Sequence, residues 1–113
     1  MDSVHYLKYD MWIRATYCLM DWVVECAAVW DEMPDYRREG KLVYFAQLGS
    51  NLSMLRAAEG LGTLSPKQIR ELRNLERLAV NAEGAIKILQ ERHEAAKARG
   101  RDDVSMVEKP WLH

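Results

Sequence analysis

The chain has 113 residues, 49% apolar and 29% charged, with sixteen basic against seventeen acidic side chains for a net charge of −1. That length allows one domain with one modest core, and that apolar content exceeds what a disordered chain carries. The near-zero charge provides no whole-protein field to hold the chain on nucleic acid or an anionic membrane.

The first predicted element runs over residues 4–32 and contains three of the four tryptophans (Trp12, Trp22, Trp30) and both cysteines. Stepping about 100° per residue gathers Asp10, Arg14, Tyr17, Asp21, Glu25 and Glu32 onto one narrow polar strip. The other rows are apolar. Met11, Ala15, Cys18, Trp22 and Val29 form one, Trp12, Leu19, Val23 and Trp30 the next, and Ile13, Met20 and Val24 the one beyond. Together they span roughly 240°, where a surface helix shows a stripe nearer 100°. Such a helix needs cover on two sides.

Charges interrupt this helix too often for a secretory signal or a membrane span. Its longest uncharged run, Ala15 to Met20, falls far short of the roughly 20 residues a bilayer requires. Cys18 and Cys26, eight residues apart, lie roughly 12 Å apart along the axis and cannot bridge each other. With no CxxC motif they read as small hydrophobes in a reducing cytoplasm.

Pro34 lacks an amide donor and biases Met33 away from helix, which ends the first element. Leu42, Phe45, Leu48, Leu52 and Leu55 then recur at three- and four-residue spacing, predicting a second helix over 38–59 that Gly40 and Gly49 weaken. Gly60 and Gly62 supply left-handed stops. The sharpest local signal follows in Leu64-Ser65-Pro66-Lys67-Gln68-Ile69. Ser65 and Gln68 form a capping box, Pro66 takes the first helical position, and Leu64 can staple onto Ile69.

The third helix is expected over 66–99. Leu72, Leu75, Ala79, Ala82, Ile86, Leu89, His93 and Ala96 keep one seam through four heptads, as in a long antiparallel helical hairpin. Ala79, Ala82, Gly84 and Ala85 leave room for a bulky neighbour such as Phe45 or Trp22, and Glu83 with Lys87 reads as a solvent-face ion pair. Gly100 closes the helix. Residues 101–113 read as a C-terminal tail, frayed or serving as a short docking segment. The expectation is an all-α three-helix protein, one domain over 1–100.

No constellation points to a reaction, a metal or a cofactor. The residue three before His93 is Gln90, so the ExxH motif of carboxylate bundles is absent, and His93 reads as a core or boundary histidine. No Ser or Cys has a recognisable base, and no glycine-rich loop follows a strand. The helix–turn–helix order, with Arg70, Arg73 and Arg77 after the turn, raises DNA binding. Interleaved Glu71 and Glu76 and a recognition helix of over 30 residues argue against it.

The aromatic row remains. It is either core, wrapped by the other helices, or an interface. On the second reading Trp12, Leu19, Val23 and Trp30 meet a twin or another protein, since an exposed aromatic row is costly in water and typical of binding hot spots. In size and helix order the whole chain resembles the small antiactivators of quorum sensing in pseudomonads. Those proteins bind the ligand-binding domain of a LuxR-type transcriptional regulator and block its dimerisation. The resemblance implies a non-enzymatic protein-binding module, itself a homodimer, with a transcriptional regulator as partner. A small DNA-binding regulator and a structural assembly subunit are the alternatives.

Overall fold

A computed structural model describes the backbone of residues 2–111 and the side chains of residues 8–99. The protein is all-α. α1 spans Asp2–Ala28, α2 Asp35–Phe45, α3 Gln47–Gly60 and α4 Pro66–Trp111, with a short 3-10 turn at Trp30–Glu32 between α1 and α2. α2 and α3 meet at Ala46, which keeps near-helical angles (φ −61°, ψ −20°) and donates its amide to Leu42 O. They form one bent helix, so the architecture is the expected set of three helical segments.

The first helix stops earlier than residue 32. Its end tightens into three-residue hydrogen bonding, from Val29 N–H to Cys26 O and from Met33 N–H to Trp30 O. Met33 itself is extended (φ −78°, ψ 143°), as the clash with a following proline ring requires. Pro34 then caps α2, its carbonyl accepting from the amides of Arg37 and Arg38. Of the two expected glycine stops only Gly62 is left-handed, at φ 75°; Gly60 is the last residue of α3.

The α4 start matches its sequence signature. Ser65 N–H donates to Gln68 Oε1 at 2.9 Å, and Gln68 N–H donates to Ser65 Oγ at 3.1 Å. Its far end does not. The backbone stays helical through Gly100 to Trp111. A helix interior tolerates a lone glycine at about 1 kcal/mol, and nothing in the residues directly after it supplies a turn. Leu112, His113 and the tail's side chains lie outside the described residues.

Side-chain bridges fix the helix directions. Gln68 Nε2 donates to Asp10 Oδ1 (2.9 Å), the Tyr17 hydroxyl to Glu71 Oε2 (2.7 Å) and Trp30 Nε1 to Leu89 O (2.9 Å), so α1 runs parallel to α4. Arg56 bonds Glu76 and Arg73 bonds Glu59, so α3 runs antiparallel to α4. This is the predicted hairpin. Its seam is filled by Leu48, Leu52, Leu55, Leu72, Leu75 and Ala79, all buried, with Leu19, Val23 and Trp30 of the first segment closing the core.

Two smaller expectations fail. A Cβ at Gly84 would meet nothing within 4 Å, so no bulky neighbour rests there, and Trp22 lies on the far flank of α1 under Lys41. Glu83 and Lys87, both exposed, form no ion pair among the described residues.

Candidate functional site

Three of the four residues nominated for binding turn out to be core. Leu19, Val23 and Trp30 are each about 1% exposed. Trp12 is half-buried, edge-on to Tyr9 with ring centroids 5.8 Å apart and with Lys8 Nζ 4.8 Å above it. The reason is directional. The α3–α4 hairpin covers the centre of the apolar arc, where the Trp30 indole N–H also finds a carbonyl, and the rows on either side are left at the edges.

The face left over is Met11, Ala15, Cys18, Trp22 and Val29. Met11 is 66% exposed, Trp22 45% and Val29 43%, and Ala15 and Cys18 are exposed with them. Sequence reasoning identified this row and the surplus, but took the other row as the one left uncovered. On its α2 side, Trp22, Val29, Met33, Arg37 and Lys41 line a shallow groove of roughly 350 Å³, with Lys41 Nζ 4.6 Å above the Trp22 ring. A cation so placed gains from the ring quadrupole and leaves the indole's other face to solvent. Cys26 lies at the base of this groove, buried, and burial pushes its thiol pKa up, so it stays protonated. Cys18 stands in the open.

A second cluster is structural. Arg38, buried although charged, donates Nε–H to His93 Nδ1 (3.0 Å), Nη1–H to Met33 O (2.5 Å) and Trp30 O (3.2 Å), and pairs through Nη2 with Asp35. Since Nδ1 accepts, the His93 proton belongs on Nε2. That atom lies 3.4 Å from Glu39 Oε1, within ion-pair range but out of hydrogen-bond alignment. His93 is thus a core histidine, bonded rather than free to ligate. Arg38 was missed from the sequence. Its signal was position, because it shares the inner face of α2 with Leu42 and Phe45 at four- and seven-residue spacing.

Two of the three arginines after the turn, Arg73 and Arg77, are engaged. Arg73 is held by both Glu59 and Glu76, and these hydrogen bonds raise its pKa further. Arg77 pairs with Asn74. Among the described residues no group of three or more His, Cys, Asp or Glu converges as a metal site would require, and no helix is long and apolar enough to cross a membrane.

The chain matches no protein-family model, and comparison with curated proteins and with solved structures gives no match either.

Proposed function

We propose that this protein is a non-enzymatic binding module that acts by occupying a partner protein's surface, with Met11, Ala15, Cys18, Trp22 and Val29 as its docking face. The observation that carries the reading is that Met11 and Trp22 stand 66% and 45% exposed on a helix whose opposite side is already committed to the core. Large apolar groups on one contiguous row are costly in water, and Trp and Met are the residues that interfaces concentrate at their centres. Arg37 and Lys41 on one side and Glu25 on the other give the row a charged rim, which sets partner choice and encounter rate more than affinity.

The resemblance to quorum-sensing antiactivators supplies the partner class. On that reading the face covers the ligand-binding domain of a LuxR-type regulator, stoichiometrically, and competes with the regulator's own dimer contact. A homodimer of this chain through part of the same row belongs to the same proposal.

The test is a binding titration against such a domain with the wild type and the Met11→Ala, Trp22→Ala double variant. Affinity should fall about 30-fold for each side chain removed, from roughly 2 kcal/mol apiece, with helix content unchanged by circular dichroism. Cys18 alkylation should slow in the complex. Undiminished binding by the double variant overturns the choice of face. Binding that is instead to DNA, and that collapses between low and moderate salt, overturns the class of partner.

A further inference from the structure

The seam between α1 and α4 is bridged at both ends and open in the middle. At one end Tyr17 donates to Glu71 and accepts from Asn74 Nδ2 at 2.7 Å; burial and the Glu71 carboxylate push its pKa up against the pull of Asn74, so it stays a protonated donor. At the other end Trp30 is tied to Leu89, and Arg92 pairs with Asp31 at 2.7 Å. Between them lies a groove of roughly 370 Å³. Its floor is Met20, Val23, Ala82 and Ala85, and its walls are Val24, 71% exposed, and Leu78. Residues 17–24 and 78–85 each run about 10 Å along their axes, two helical turns.

Charge distinguishes this window from the other seams. The α3–α4 carboxylates Glu59 and Glu76 are held by Arg56 and Arg73, Glu39 on the α2–α4 seam lies 3.5 Å from Lys97, and Asp10 and Glu71 are bonded across α1–α4. Asp21, on the rim of the open groove, has no hydrogen bond or ion pair among the described residues. Across the groove stand Leu78, Asn81, Ala82 and Ala85, none of them basic. Arg77 is occupied by Asn74, and Arg14 sits seven residues from Asp21, about 10 Å along α1.

We infer that this window is a second docking site, and that its occupant is a basic amphipathic helix of a partner protein, with aliphatic anchors in the groove and a Lys or Arg beside Asp21. The Asp21 carboxylate selects the occupant. An uncharged apolar helix would strip water from Asp21 without replacing it, and an acidic helix would be repelled, whereas a cation on the flank of the apolar stripe satisfies it. The groove's two-turn length accommodates anchors at i and i+3 or i+4 with the basic group one turn away. Val24 stands about 160° around α1 from Trp22, so this site is separate from the face proposed above and is tested without it.

The experiment titrates the isotope-labelled full chain with two synthetic amphipathic peptides of about four turns, identical in their leucine stripe and carrying either lysine or glutamate along its edge. The lysine peptide should shift the amides of residues 17–24 and 78–85 and bind at least 10-fold tighter than the glutamate peptide, a preference that Asp21→Asn removes and Trp22→Ala leaves intact. Ala85→Leu, which fills the groove, should abolish binding; Asp21→Asn, at an exposed position on the rim, keeps the test valid should Ala85→Leu misfold. Equal affinity for the two peptides, shifts centred on the Met11 to Val29 row, or no shifts at millimolar peptide would each overturn the inference. So would a sedimentation mass of two chains that Ala85→Leu returns to one, because a second copy would then fill the window.

Discussion

Trp22 and Trp30 stand eight residues apart and have opposite fates. Trp30 is about 1% exposed and its indole N–H is bonded to Leu89 O, whereas Trp22 is 45% exposed and touches a lysine. The two residues offer the same apolar area, so area did not decide between them. What differs is the surroundings. Trp30 sits where the chain turns, and its own carbonyl accepts from the buried Arg38 guanidinium, so both its polar ends are satisfied inside. A tryptophan enters a core fully only where its N–H has a partner.

Substitution should separate the two sharply. Trp30→Ala should cost about 3–5 kcal/mol in chemical denaturation, through the cavity and the loss of the second hydrogen bond to the Leu89 carbonyl. Trp22→Ala should cost under about 1 kcal/mol and act on binding instead. Similar losses for the two would break the comparison. The arginines repeat the contrast at smaller scale. Arg38→Ala leaves His93 Nδ1 unserved in the interior and takes the guanidinium from the carbonyls of Met33 and Trp30, the latter keeping only the Met33 amide, and should cost about 3 kcal/mol by the same measurement. Arg73→Ala, at an exposed ion-pair cluster, should leave the midpoint nearly unmoved. The smallest effect is with acid. Hydrogen bonds from Arg56 and then Arg73 hold the Glu76 carboxyl below its ordinary pKa, against the opposing effect of desolvation. Its stabilisation is therefore complete above the usual carboxylate range and is lost as pH falls through the lowered folded value. Glu76→Gln should flatten that part of the stability profile, its small loss falling at neutral pH, where the carboxylate's contribution is complete, and vanishing in acid.

Local signals were readable wherever the physics is local. The Ser65–Gln68 capping box needs only four residues, and the Leu72 to His93 seam needs only helical periodicity. The phase of α1 was not readable in that way. Its rows through Trp12 and through Trp22 are chemically alike, and only the hairpin's position breaks the tie. Arg38 eluded a reading in which charge means surface, because its partners arrive from α4 and from the turn before α2. Gly100 misled for the converse reason, since a glycine stops a helix only if the residues after it turn.

The directions of the helices also set the order in which this molecule comes together. The bridges between α3 and α4 close loops of 14 and 20 residues, while those between α1 and α4 close loops of 54 to 59. By the logarithmic growth of loop-closure entropy, joining α1 costs about 1 kcal/mol more than joining the hairpin. The hairpin is therefore the natural nucleus, and the most apolar helix of the chain, synthesised before it, is the last to find cover. Until then all three of its apolar rows are open to solvent and to neighbours; after docking, the row through Met11 and Trp22 stays open, together with Val24.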